Sequence, residues 1–290
     1  LQSAMNAANV SLMTNTKVER LEVDDVGTVS GVVVKLKDRI ETLRAPIVVL
    51  AAGAVNSAAL LLSSRTETYP TGLANRSDQV GRNFMNHNAS AVLAMHPFRK
   101  NNAIYQKTLM CNDYYLTDGD KGPPLGNIQL LGKISGTILS ANTPLPKIVA
   151  NWIAARSFDF YAMSEDLPDP ESRVTVKNEQ IHLSWKRTNW GAHQMLVQKL
   201  KRVLKKAGFP IVLTQSFDKR TPSHQCGTAR MGVDPTTSVV DTYCRSNDHK
   251  NLFIADASVL PTSAAVNPAL TIAALSMRAA DHILREEFAA

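Results

Sequence analysis

Hydrophobic and polar residues alternate along the first part of the chain with the period of β-strands. The alternation covers residues 10–23 and 29–37, and residues 24–27 between them have the composition of a turn, which predicts a hairpin. A further short strand is predicted at residues 40–43. The run at residues 47–52 is apolar throughout, a pattern typical of a strand that is buried on both faces.

The apolar run leads through Gly53 into a helical pattern at residues 56–62. A buried strand, a glycine and a helix can together bind an anion, because the free N–H groups of the helix face the loop. The α/β pattern returns at the end of the chain, with a predicted strand at residues 251–256 and a predicted helix at 271–288. That helix is expected to bury one face, formed by Ile272, Leu275, Ala279, Ile283 and Leu284.

The middle of the chain has a different pattern. It predicts a strand at residues 89–95, a hairpin at 173–185 and a helix at 191–209. The buried face of this helix is expected to contain Met195, Leu196, Leu200, Val203 and Leu204. The fold class is therefore predicted as α/β with an α+β insertion of antiparallel strands. The predicted domains are an α/β unit of residues 1–80 and 219–290, and an insertion of residues 81–218.

Composition and charge favour an ordinary globular protein. Hydrophobic residues make up 44% of the 290 residues and charged residues 20%. No apolar run approaches the roughly 20 residues that span a bilayer, so we expect a soluble chain. The net charge is +7, and the densest basic cluster is Lys199, Lys201, Arg202, Lys205 and Lys206. These positions recur at helical spacing, which favours a solvated helix face over a nucleic-acid site.

Cysteine usage and the first residue bear on compartment. Cys111, Cys226 and Cys244 are too scattered for a disulfide framework or a CxxC metal site, and an odd count favours a reducing compartment such as the cytoplasm. The chain starts with Leu1 and not with Met, so we expect that a preceding segment is missing. A targeting signal therefore cannot be sought in this sequence.

One histidine stands in a conspicuous turn sequence. His224 opens HQCGTARMG, and an unperturbed imidazole titrates near ~6.5, so it can exchange a proton at neutral pH. Asn267 precedes the last predicted helix, where it could act as the helix cap. Taken singly, His224 could equally stabilise a turn. The histidines show no spacing that would indicate a metal site, and no metal is expected.

Four stretches together resemble a known family, the glucose–methanol–choline (GMC) oxidoreductases. They are TNTKVERLE at residues 14–22, APIVVLAAGAVNSAALLLSS at 45–64, VGRNFMNHN at 80–88, and the block from HQCGTARMG to ADHIL at 224–284. The departures from the family pattern are Ala58, Phe84 and Asn86. The GxGxxG loop that opens the family's dinucleotide fold does not occur in these 290 residues, so we expect the C-terminal part of a longer enzyme.

The resemblance implies a fold, a cofactor and a reaction. The expected fold is part of a Rossmann-like FAD-binding domain together with an antiparallel-sheet substrate domain. The expected reaction is oxidation of an alcohol or sugar, with a hydride passing from the carbinol carbon to flavin N5. His224 matches the catalytic base of the family and Asn267 its partner position, which is His or Asn in the family. The alternative is a non-catalytic remnant that binds no flavin.

Further residues match the family's FAD contacts. The expected contacts are Val18, Ala52, Gly53, Asp256, Ala257, Pro268, Ala269 and Thr271. In the GRNFMNHN loop, Asn83 and His87 are expected to order the loop, not to take part in catalysis. Cys226 is expected to be a small buried thiol. Neither the alcohol nor the electron acceptor is indicated by a motif.

Overall fold

The computed structural model describes residues 2–103, 107–218 and 223–288. The helices are α1 Gln2–Met5, α2 Gly53–Ser63, α3 Gly136–Asn142, α4 Lys147–Ala154, α5 Trp190–Lys206 and α6 Ala269–Glu287, with a 3₁₀ helix at Ala257–Val259. The first strands are β1 Thr16–Val23, β2 Val29–Leu36, β3 Arg39–Leu43, β4 Val48–Leu50, β5 Asn88–Met95 and β6 Met110–Cys111. The remaining strands are β7 Asn127–Gly132, β8 Ser157–Ser164, β9 Arg173–Lys177, β10 Gln180–Ser184, β11 Ile211–Ser216 and β12 Leu252–Ile254.

The two ends of the chain meet in one α/β unit. β1, β2 and β3 form an antiparallel sheet, in which Val18 lies opposite Val34, so the predicted hairpin is confirmed. β4 and β12 pair in parallel, with Leu50 opposite Ile254. Because β4 and β12 are about two hundred residues apart, their pairing closes the unit around one apolar core, which includes Leu61 of α2. The expected α/β style of both ends is confirmed.

The middle of the chain forms a separate antiparallel sheet with the strand order β11-β5-β8-β7-β6. Side chains alternate between its faces, as the period of a strand requires. Val92 of β5 packs in one cluster with Leu196 of α5, whereas its neighbour Leu93 packs with Ile153 of α4. Helices therefore cover both faces, and the predicted α+β insertion of antiparallel strands is confirmed.

The hairpin of β9 and β10 lies within the predicted insertion but packs elsewhere. Its pairing is the predicted one, with Val174 opposite Leu183. Val174 is buried in the same core as Leu61, which belongs to α2. The boundary predicted between residues 218 and 219 adjoins residues 219–222, which lie outside the described residues. The domain bounds therefore stay a prediction.

Several positions that the sequence predicts as buried are exposed. Val49 of β4 is 50% exposed, Met195 and Val203 on α5 are 43% and 49% exposed, and Leu284 on α6 is 64% exposed. These four predictions are wrong. Periodicity places a residue on a helix or strand face, but burial requires a second layer over that face. Among the described residues no layer covers these four side chains.

Candidate active site

Two loops lie side by side where the α/β unit meets the antiparallel sheet. Residues 83–87, which precede β5, run antiparallel to residues 223–228. Met85 and Cys226 form the bridge between them and exchange both backbone hydrogen bonds at 3.0 Å. Cys226 is buried as expected, and burial raises the pKa of its thiol to about 12. It is therefore an inert packing group at neutral pH.

Gly227 permits the close approach of the two loops. Its φ is +93°, and a Cβ at this position would lie 2.3 Å from the carbonyl oxygen of Asn83. A backbone atom cannot move aside as a flexible side chain can, so only glycine fits. The N–H of Gly227 donates to the carbonyl of Ala257 at 3.3 Å, which connects the loop to the 3₁₀ helix that follows β12.

The backbone at His224 and at the residue before it is held in place. Its φ is +58°, in the left-handed region that non-glycine residues adopt only under constraint. The N–H of Ser223 donates to Asn86 Oδ1 at 2.7 Å, and the N–H of His87 donates to the carbonyl of Ser223 at 3.2 Å. The loop therefore has little freedom to redirect the imidazole.

The half-buried imidazole of His224 contacts a partner at each ring nitrogen. Nε2 lies 3.2 Å from Nδ2 of Asn267, and Nδ1 lies 2.9 Å from Nδ1 of His87. His87 Nε2 in turn lies 2.6 Å from the carbonyl oxygen of Ser263. The hydroxyl of Ser223 is a more distant neighbour, at 3.3 Å from His224 Nδ1. The tertiary structure thus brings together the two residues that the sequence predicts as a pair, and adds His87 to them.

Burial keeps both imidazoles neutral at pH 7. It lowers the pKa of His87 to about 4, although the hydrogen bond with the Ser263 carbonyl opposes the shift. Desolvation also lowers the pKa of His224 below its ordinary value. Each ring therefore carries a single proton at neutral pH.

Asn267 is oriented by a residue from the antiparallel sheet. Gln129 of β7 donates from Nε2 to Asn267 Oδ1 at 3.1 Å, which leaves the NH₂ group of Asn267 facing His224. Because an amide NH₂ only donates, His224 Nε2 accepts from it and presents a lone pair. The possible cap role of Asn267 is not observed, since Pro268 occupies the cap position of α6.

Four of the residues expected to contact FAD meet at the carboxyl ends of β4 and β12, namely Ala52, Gly53, Asp256 and Ala257. Asp256 accepts from the N–H of Gly53 at 2.9 Å and from the Ser57 hydroxyl, and its other oxygen accepts from the N–H of Ser258 at 2.8 Å. The carboxylate therefore joins the start of α2 to the 3₁₀ helix. Ligands of open α/β folds bind at this end of parallel strands.

The other expected contacts lie to either side of this edge. Val18 is 40% exposed on β1, and together with Ala52 it lines a cavity of about 980 Å³ between β1, β4, α2 and the β9–β10 hairpin. Pro268, Ala269 and Thr271 form the first turn of α6, directly after Asn267. The helix begins two residues earlier than predicted.

Sequence reasoning missed the contributions of His87 and Gln129. His87 was expected only to order its loop, yet its ring contacts the candidate base. Gln129 is an ordinary polar residue in a strand pattern, and no sequence signal distinguishes it. The motif VGRNFMNHN drew attention to His87, but only the structure shows that this histidine is 2% exposed and must therefore hydrogen-bond to a specific partner.

The part of the chain that the structure describes contains neither a metal site nor a membrane-spanning helix. No cluster of three or more His, Cys, Asp or Glu side chains in that part could hold a metal ion. None of its helices combines the length and the apolar character needed to cross a bilayer.

Known proteins with a similar sequence are sugar and alcohol oxidoreductases. The chain is 29% identical to the fructose dehydrogenase large subunit of Gluconobacter japonicus, over 82% of this chain and 47% of that protein. It is 27% identical to 2-methyl-1,2-propanediol dehydrogenase of Mycolicibacterium austroafricanum, over 96% of this chain and 55% of that protein. The chain thus spans about half the length of these curated relatives.

Solved structures and family models agree with one another. Pyridoxine 4-oxidase from Mesorbium loti superposes with a TM-score of 0.71 at 21% identity, over 97% of this chain and 60% of that one. Formate oxidase from Aspergillus oryzae gives 0.71 at 16% identity, over 97% and 62%. Two models described as GMC oxidoreductase match residues 1–89 and 168–276. The chain therefore belongs to the GMC oxidoreductase family, a membership that implies FAD as the cofactor.

Proposed function

We propose that this chain carries the catalytic residues of an FAD-dependent oxidoreductase that acts on a CH–OH group of an alcohol or sugar. The observation that carries the proposal is the contact between His224 Nε2 and the amide of Asn267 at 3.2 Å. Oxidation of an alcohol requires a base for the hydroxyl proton and a donor for the oxygen that becomes negatively charged. The names of the two dehydrogenase relatives support this class of substrate.

His224 is proposed as the base. Its lone pair lies on Nε2, and desolvation lowers its pKa, so the ring is neutral and ready to accept a proton at pH 7. A substrate hydroxyl that replaces the hydrogen bond between His224 Nε2 and Asn267 Nδ2 can give its proton to the first atom and accept a hydrogen bond from the second. Asn267 cannot titrate, so it remains a donor throughout the reaction.

The residues at the carboxyl ends of β4 and β12, together with Val18 on β1 and the start of α6, fit FAD. Those that would hold it are Val18, Ala52, Gly53, Asp256, Ala257, Pro268, Ala269 and Thr271. A Cβ at Gly53 would meet no atom within 4 Å, so this edge offers open space beside a chain of small residues. When bound, FAD supplies the hydride acceptor. The N-terminus of α6, which follows Asn267, carries partial positive charge that favours an anionic group beside it.

The test, made on the complete protein that contains this chain, is reduction of bound flavin by substrate without oxygen, with D-fructose and 2-methyl-1,2-propanediol as the first substrates of an alcohol and sugar panel. We expect His224→Ala to retain flavin absorbance and to slow reduction by roughly 10²- to 10⁴-fold, the usual contribution of a general base. The matched control is His182→Ala, because His182 is exposed on β10. Reduction of the His224 variant at the wild-type rate would refute the assignment.

The same preparation tests the non-catalytic alternative. If the complete protein folds but takes up no flavin when FAD is added, the remnant is favoured, and no variant would then change a reaction. Retained flavin that is bleached by one member of the panel would exclude it.

A further inference from the structure

His87 has no role in the proposed chemistry, yet it is the most buried titratable contact of the proposed base. Only 2% of its surface is exposed. Its Nε2 lies 2.6 Å from the carbonyl oxygen of Ser263, which can only accept. His87 Nε2 therefore carries the proton of this neutral ring and donates it to Ser263. As a result, His87 Nδ1 has a lone pair and must be an acceptor.

The proton of His224 follows from this assignment. His87 Nδ1 lies 2.9 Å from His224 Nδ1, and two lone pairs at that distance would repel each other, so His224 Nδ1 carries the proton and donates. In a neutral imidazole the other nitrogen, Nε2, is then unprotonated. The opposite side of the ring leads to the same result independently, because Asn267 donates to Nε2. Two separate hydrogen bonds thus select one tautomer.

The carbonyl of Ser263, which accepts the proton of His87 Nε2, is held in place by hydrogen bonds. The hydroxyl of Ser263 accepts from the N–H of Asp166 at 2.9 Å and donates to the Asp166 carbonyl at 3.0 Å. The Ser263 carbonyl is thereby fixed opposite His87. Ser223 offers a weaker alternative to His224 Nδ1, at 3.3 Å, and its hydroxyl is also engaged with the Tyr161 hydroxyl at 2.8 Å.

We propose that His87 is a positioning residue that holds His224 in the tautomer whose Nε2 is unprotonated and can accept the substrate proton. The proposal rests on the proposed role of His224 as base. A carboxylate at this position would select the same tautomer, but its negative charge would also make His224 more basic. A neutral histidine separates the two effects, so the base is oriented without being held protonated at neutral pH.

The other titratable groups around the two rings do not compete with this role. The Asp166 carboxylate accepts from the N–H of Asn86 at 3.0 Å, and its remaining hydrogen bonds come from Trp185 and Thr188. Burial raises the pKa of both Tyr161 and Cys226, so these groups stay protonated and neutral.

The direct test is the ¹⁵N spectrum of histidine-labelled protein at neutral pH, which distinguishes protonated from unprotonated ring nitrogens. We expect His224 to show a protonated Nδ1 and an unprotonated Nε2. His87→Leu removes the acceptor and should give a mixture of tautomers, whereas His87→Asn places an amide oxygen near the same position and should restore the single form. His182→Asn is the control for the label. A single wild-type tautomer in His87→Leu would overturn the proposal.

Flavin reduction gives a second readout. His87→Leu should slow it by roughly 10- to 100-fold, as follows loss of a group that orients a functional imidazole, and His87→Asn should recover most of the rate. His87→Asp adds a charged acceptor and should move the acid limb of kcat/KM to higher pH. An unchanged limb in His87→Asp would refute the proposal even if His87→Leu failed to fold. If His224→Ala left the rate unchanged, the proposed function would fail, while the spectra would still decide whether His87 selects the tautomer of His224.

Discussion

The substitution Gly227→Ala tests whether the candidate site depends on the close approach of its two loops, which contain Asn83 and Gly227. The residue has φ +93°, and the added Cβ would lie 2.3 Å from the Asn83 carbonyl oxygen. Left-handed backbone costs a non-glycine residue roughly 1–2 kcal/mol. Overpacking against atoms that cannot relax adds roughly 1–3 kcal/mol. The expected loss in the free energy of unfolding is therefore about 2–5 kcal/mol.

Gly208→Ala is the matched control. Gly208 follows α5 with φ +92°, and a Cβ there would meet no atom within 4 Å. It therefore has the same backbone cost of roughly 1–2 kcal/mol without the collision. The difference between the two variants isolates the contact between the loops.

Denaturant unfolding and flavin reduction are the assays. We expect a lower midpoint for Gly227→Ala than for Gly208→Ala at a similar slope, which indicates a change in stability alone. Flavin reduction should also slow, by roughly 100-fold for a displacement of His224 near 1 Å, in Gly227→Ala only. Equal midpoints and equal reduction rates in the two variants would refute the reasoning.

Two further predictions concern His224 and Asn267. Desolvation lowers the pKa of His224 from its ordinary 6.5, so the neutral base persists at every pH above the lowered value. We therefore expect kcat/KM to be flat around neutral pH and to fall only below pH 6.5. An acid limb centred above pH 7 would contradict the assignment. Asn267→Ala removes one hydrogen bond to the developing alkoxide and should slow flavin reduction by roughly 10²- to 10³-fold while flavin stays bound; loss of the flavin itself would show a structural role.

Much of the secondary structure could be predicted because its signals are local. The period-two pattern around Val18 and Val34 predicts a hairpin, which the structure confirms, and the motif residues predict the family without reference to contacts. Burial could not be predicted in the same way. Val49 and Val203 are apolar and correctly placed on their elements, but whether a face is covered depends on parts of the fold that are distant in sequence.

For the candidate site, the sequence by itself determined the residue types, and His224 and Asn267 could be paired only through resemblance to a family. The tertiary structure decided which atoms meet. His87 and His224 are 137 positions apart, and they contact only because the Met85–Cys226 bridge sets their loops side by side. Gln129, which lies on β7 of the antiparallel sheet, donates a hydrogen bond to Asn267. A proton's position on an imidazole depends on its hydrogen-bond partners in space, so no pattern along the chain could assign it.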